Sequence, residues 1–148
     1  MRPRVLSITL VLALVAVSPG ASTAHALAPL AAEATRLVRI GHRTFLAEKV
    51  LAPAPFDWSS DGCTGTPPSW AEVFDQPCQQ HDFGYRNLGR GLALRPSERV
   101  RAWVDRRLLE ELRSVCAQLT RGLGRTRCRA RARAMYAAVR IFNPDWGG

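Results

Sequence analysis

"SERVRAWVDRRLLEELRSVCAQL", Ser97 to Leu119, is the stretch whose reading decides the fold. Val100, Trp103, Val104, Leu108, Leu112, Val115 and Leu119 follow one another mostly at steps of three and four, which puts them along one face of a long amphipathic helix. Pro96 and Ser97 open that helix, and the Gly122–Gly124 run is expected to stop it. The following segment, about Thr126 to Phe142, contains "RCRARARA", which alternates as a strand does. Ala and Arg nevertheless favour helix over strand, and Cys128, Ala132, Met135, Tyr136, Val139 and Phe142 fit one helical face. Pro144 is expected to end it. Two long helices across a short loop can pair antiparallel. Upstream, Leu30 to Leu51 also has helical spacing, with a break expected at Gly41 and an end at Pro53 and Pro55. Phe56 to Pro77 reads as an irregular loop, marked by Asp61-Gly62, Gly65 and Pro67-Pro68, and a helix is expected from Pro77 to about Leu88. No β-rich run remains, so the expected class is all-α.

The 148 residues suit one domain, preceded by a targeting segment. Arg2 and Arg4 precede the mostly apolar run Val5 to Val17, and small residues lead to Ala24-His25-Ala26, the layout of a secretory signal peptide. The run is shorter than the about 20 residues a membrane span needs. Cleavage is expected after Ala26, with Ala24 as a second position, leaving a domain from residue 27 to 148 and a secreted, extracellular protein. Loss of Arg2 and Arg4 lowers the net charge from +9 to +7. Such a basic chain favours anionic partners, and charge alone does not choose among lipid surfaces, nucleic acid and acidic polymers.

Four cysteines, Cys63, Cys78, Cys116 and Cys128, allow three pairings in an exported chain. The near-neighbour pairing, Cys63–Cys78 with Cys116–Cys128, is the expectation. A zinc site through Cys78-x-x-His81 lacks the second close ligand pair such sites use.

Within "DQPCQQHDFGYRN", Asp75 to Asn87, a helix places Cys78, His81, Tyr85 and Leu88 on one face and turns Asp82 about 100° away. Asp105 lies inside the apolar arc of the Ser97–Leu119 helix, where a carboxylate needs a partner. His81 would make it a general-base dyad; Arg101, one turn earlier, would make it a plain ion pair, and spacing leaves both open. In "FDWSSDGC", Phe56 to Cys63, Asp61-Gly62 is turn chemistry. If Cys63 bonds Cys78, Asp61 and Asp82 can converge as an oxygen-rich cation site, suited to calcium more than zinc. No G-x-S-x-G nucleophile motif is present, so the set points to metal-assisted ester hydrolysis by water.

"CQQHDFGYRN" resembles the catalytic helix of the secreted phospholipases A2, and above all their bacterial and fungal branch, in which an H-D-F-G-Y-R-N run is typical. "FDWSSDGC" resembles that branch's calcium loop, and "WVDRRLLEELRSVC" resembles the helix that carries the partner aspartate. The resemblance covers roughly Phe56 to Phe142. It implies a small disulfide-bonded helical fold with two long antiparallel helices carrying the site, and calcium-dependent hydrolysis of the sn-2 ester of glycerophospholipids. It implies His81 as general base, Asp105 as its partner, Asp61, Asp82 and the Gly62 carbonyl as calcium ligands, and Tyr85 in support by a hydrogen bond or by packing. The doubled cysteine and the longer glycine-rich calcium loop of the animal enzymes are missing, as this branch leads one to expect.

Other residues read more plainly. His42 is expected at the solvent surface. Trp58 and Trp70 can enter a lipid interface or the core, and Trp103 is expected in the core. The arginines between Arg125 and Arg133 are a solvated face able to hold anionic headgroups. A phospholipid membrane or micelle is the expected partner of a monomeric enzyme. The alternative is a non-catalytic cationic membrane-binding or toxin-like module of the same fold. A nucleic-acid binder is disfavoured, since no motif or aromatic stacking platform accompanies the charge.

Overall fold

The structure, a computed structural model, describes residues 19–119, 121–142 and Trp146, with side chains from residue 27 onward. Five α-helices form, α1 Pro19–Arg39, α2 His42–Lys49, α3 Pro68–Gly84, α4 Glu98–Leu119 and α5 Gly122–Phe142, and a π-helical turn, Tyr85–Gly89, continues α3. No strand occurs among the described residues. Residues 1–18, with Arg2, Arg4 and the apolar run of the expected leader, lie outside them, as does Pro144; α1 begins at Pro19 and passes through Ala24 and Ala26. No helix among the described residues is long and apolar enough to cross a membrane.

Helix α4 is the axis. Against α3, Gly84 faces Val104, His81 faces Asp105, and Phe74 and Cys78 share a cluster with Leu112 and Leu108, so the two helices run antiparallel. Against α5, the Cys116–Cys128 disulfide fastens one end and the Asp105–Arg140 ion pair the other. At about 1.5 Å rise per residue, these fastenings lie roughly 16–18 Å apart. The α4 stripe thus serves two partners, burying Val104 toward α3 and the α1 residues Leu37 and Val38, and Val115 and Cys116 toward α5.

Three helix starts depart from expectation, the first being that of α1, at Pro19 rather than Leu30. Helix α3 starts at Pro68, nine residues before Pro77, and the expected loop is correspondingly shorter. Pro67 is held extended at ψ 141° because a proline follows it, Pro68 fills the first turn, and the Trp70 and Ala71 amides bond back to the Pro67 carbonyl. Pro77 sits in the helix interior, where it forfeits one backbone hydrogen bond; its fully buried ring, near Phe74 and Cys78 in the chain, offsets that loss. Helix α5 starts at Gly122 rather than at Thr126, with Gly122 at φ +55°, a left-handed conformation that makes the tight turn from α4.

The α1–α2 corner is closed from a distance. Gly41, extended at φ −63° and ψ 146°, begins α2 without a side-chain cap of its own. Glu111 of α4 replaces it: one oxygen accepts from the His42 backbone N–H at 3.2 Å and meets the His42 ring Nδ1 at 2.7 Å. The other accepts from Arg107 at 2.5 Å, and Arg107 also donates to the Arg39 carbonyl. His42 is therefore buried, contrary to the surface position expected for it. The opposite corner is tied by Gln80, whose buried amide donates to the Leu37 and Ile40 carbonyls at 2.8 and 2.7 Å, groups that the end of α1 would leave unpaired.

Candidate active site

The run from His81 to Asn87 assembles the site. Gly84 lies where an added Cβ would stand 2.8 Å from Val104 and 3.2 Å from Val38, so the missing side chain lets α3 approach α4 closely enough for His81 to reach Asp105. Phe83 fills an aromatic cluster with Phe45, Phe56 and Trp58 at centroid distances of 5.3, 5.6 and 4.6 Å. Trp58 is thus partly buried in the core, and Trp70 packs beside the other core cluster under the Arg131 guanidinium. Trp103 is likewise partly buried against the core. Asn87 is fully buried: its Oδ1 accepts from the Asp57 amide and its Nδ2 donates to the Asp57 and Phe83 carbonyls. That double bond to Asp57 anchors the Phe56–Cys63 loop at one end, and the Cys63–Cys78 disulfide anchors the other.

The carboxyl of Asp105 is wholly buried and takes three donors. His81 Nε2 meets Oδ1 at 2.8 Å, the Tyr85 hydroxyl donates to the same oxygen at 2.8 Å, and Arg140 donates to Oδ2 at 2.8 Å. Burial alone would raise its pKa; the hydrogen bonds from His81, Arg140 and Tyr85, with the charge on His81, outweigh this and hold it below the usual carboxylate range. Tyr85 is pushed well above its ordinary value, by burial and then by the Asp105 charge, so it stays a donor. Both partners weighed for Asp105 can now be placed: His81 bonds it, while Arg101 is turned to Glu98 at 2.6 Å. Tyr85 bonds Asp105 as well as packing on the His81 ring at 4.5 Å. With Nε2 committed to Asp105, Nδ1 is the His81 nitrogen available for proton transfer.

Two contributors carried no sequence signal. Arg140 is one of six arginines in α5, and its acid lies 35 residues away. Trp146 packs edge-on against Tyr85 at 4.8 Å and covers Gly89, where a Cβ would fall 2.6 Å from the indole.

Beside the dyad opens a pocket of about 460 Å³. One wall holds Asp61, Asp82 and His81; the other is apolar, with Leu108, Met135, Val139 and, at its exposed rim, Phe142. Asp82 Oδ2 accepts from the Ser60 hydroxyl at 2.6 Å and the Asp61 amide at 3.1 Å, so the two aspartates meet at this wall. Burial, seconded by the Asp61 charge, raises the Asp82 pKa. Burial opposes Asp61 too, but hydrogen bonds, among them one from Arg86 at 3.0 Å, keep its pKa low. Gly62 turns the loop at φ +65°. Among the described residues no three His, Cys, Asp or Glu side chains cluster as a self-sufficient metal site.

A buried histidine–carboxylate pair beside an open, partly apolar pocket is an arrangement able to take a proton from a bound water. Residues 36–143 match the prokaryotic phospholipase A2 family, and the chain belongs to it. It is similar to a secretory phospholipase A2 of Beauveria bassiana (strain ARSEF 2860), 32% identical over 91 residues, which are 61% of this chain and 45% of the relative. It is also similar to a secretory phospholipase A2 of Arthroderma benhamiae (strain ATCC MYA-4681 / CBS 112371), 39% identical over 75 residues, 50% of this chain and 49% of the relative. The matched part spans about half the length of each relative.

Proposed function

We propose that this chain is a secreted, calcium-dependent phospholipase A2 that hydrolyses the sn-2 ester of glycerophospholipids. The observation that carries the reading is the His81–Asp105 pair at 2.8 Å, in which His81 lines a pocket shared with the apolar side chains of Leu108, Met135, Val139 and Phe142. In this reading a water molecule sits at His81 Nδ1. As its oxygen adds to the ester carbonyl carbon, its proton passes to Nδ1, and Asp105 steadies the imidazolium through Nε2. When the carbon–oxygen bond to glycerol breaks, the same proton is returned to the departing alkoxide. Leu108, Met135, Val139 and Phe142 offer the acyl chain an apolar path. Arg140 acts on the dyad through Asp105, and Tyr85 through Asp105 and by packing on the His81 ring; both are positioning residues.

The donor set beside His81 fits calcium: it is all oxygen, and burial leaves Asp82 short of the positive charge that a cation would provide. Asp61, Asp82 and the Gly62 carbonyl would hold the ion together with waters, and the Arg86 contact to Asp61 would yield to it. When bound, calcium supplies positive charge toward the ester carbonyl oxygen as negative charge develops there.

The test is fatty-acid release from phosphatidylcholine vesicles with and without chelator. Activity should vanish in chelator, return with calcium and return poorly with magnesium, which demands a tighter octahedral shell. His81→Ala should lower kcat by roughly 10²–10⁴ while vesicle binding persists. Full activity in chelator would refute the calcium assignment, and substantial turnover by His81→Ala would refute the base. Vesicle binding without turnover in the parent would favour the non-catalytic cationic module.

A further inference from the structure

We infer that a second binding site, for a soluble phosphoryl anion such as a phosphate monoester, lies between α1 and the N-terminal half of α4, on the side of α4 turned away from the catalytic pocket. A pocket of about 250 Å³ there is lined by Arg39, Arg95, Arg99, Arg106, Thr35 and Trp103, with Val100 at its apolar base. Trp103 stands about 160° round the helix from Asp105, which places the two pockets on opposed faces of α4.

Among the described residues no ion pair compensates the charge in this pocket. The acids nearby are committed elsewhere: Glu33 and Glu48 to Arg36, Glu98 to Arg101 and Arg140, and Glu110 and Glu111 to Arg107. Among the described residues no carboxylate pairs with Arg39, Arg95, Arg99 or Arg106. Four exposed guanidinium groups gathered round one concavity focus a positive potential that draws anions in. The geometry selects the kind of anion. Guanidinium forks bind phosphoryl oxygens two at a time, and Thr35, whose hydroxyl donates to the Ala31 carbonyl at 2.6 Å and accepts from Arg95 at 3.3 Å, helps to place the Arg95 fork. Trp103 and Val100 give a small organic tail an apolar resting place. A flat membrane cannot touch this pocket and the catalytic mouth together, because they face opposite ways, and this favours a soluble ligand over a headgroup in a bilayer. The inference does not depend on the phospholipase reading.

The experiment uses the folded chain in chelator, titrated at low ionic strength with glycerol 3-phosphate and with inorganic phosphate. Calorimetry and the Trp103 indole N–H resonance in a two-dimensional spectrum are the readouts. Saturable one-to-one binding is expected, with the Trp103 resonance shifting. The exposed double variant Arg99→Gln/Arg106→Gln should weaken binding about tenfold or more, whereas Arg129→Gln/Arg133→Gln on α5 should not. An equal loss in both variants would reduce the effect to diffuse charge and overturn the site. Binding to phosphatidylglycerol vesicles that depends on Arg99 and Arg106, with none to either soluble phosphate, would transfer the pocket to a lipid surface and overturn the soluble ligand. Silence of the Trp103 resonance under saturation would overturn the location.

Discussion

Asp105 accepts from His81, Tyr85 and Arg140 in a place that water does not reach, so each donor's removal carries its own signature. Because its folded pKa lies below the ordinary value of 3.8, Asp105 contributes stability that is present above that value and is lost as pH falls through the folded pKa. Arg140→Gln removes a charge that helps to depress it. The acid-unfolding midpoint, followed by circular dichroism, should therefore move to higher pH, and kcat should fall about tenfold or more as the dyad loses one anchor. An unmoved acid midpoint would sever Arg140 from Asp105. That Asp105 needs a partner was legible in the sequence, because a buried acid on an apolar stripe is an anomaly; that the partner is His81 and not Arg101 was not set by spacing and came from the family resemblance. Arg140 was not legible, because an arginine among arginines is no anomaly. His42 was misread for a related reason: its partner, Glu111, lies 69 residues away on a helix whose rotation is fixed only by packing.

At the scale of elements, the close approach of α3 to α4 depends on Gly84. A methyl group there would stand 2.8 Å from Val104, so Gly84→Ala must push α3 from α4. The expected cost is about 1–3 kcal/mol in chemical denaturation, with a kcat loss out of proportion to it, because the displacement opens the His81–Asp105 distance. Gly89→Ala tests a separate contact. Its Cβ would meet Trp146 at 2.6 Å, and the Trp146 indole should become more exposed to a fluorescence quencher. The helices themselves followed from periodicity, as α4 did almost to the residue. The start of α3 did not, because Pro77 reads as a helix opening, and only the tertiary burial of its ring makes it tolerable inside one. The π-helical turn had no signal either. The Arg90 amide reaches back five residues to the Tyr85 carbonyl, and the returning loop pairs Leu94 and Arg95 with the Asn87 and Leu88 carbonyls, a closure set by residues beyond the turn.

Across the whole molecule, the Cys63–Cys78 bond spans 15 residues, and in the chain-entropy picture such a closure contributes about 3 kcal/mol. Cys63→Ser/Cys78→Ser should lower the denaturation midpoint accordingly and raise the calcium needed for half activity, since the loop bearing Asp61 and Gly62 would lose its covalent anchor and keep only its hydrogen bonds to Asn87, Asp82 and Arg86. An unchanged calcium requirement would show that the hydrogen bonds position the loop without the disulfide. The Asn87 anchor has a consequence for anyone wishing to move this chemistry to another scaffold. The seven residues from His81 to Asn87 are not a cassette that any exposed helix can accept. They would need a recipient whose two neighbouring helices each present a small β-branched side chain opposite Gly84, as Val104 and Val38 do, and whose preceding loop offers one free amide and one free carbonyl, both from a single residue, to a buried asparagine. Those two sockets, more than any likeness in sequence, mark the backbones on which a transplant could take.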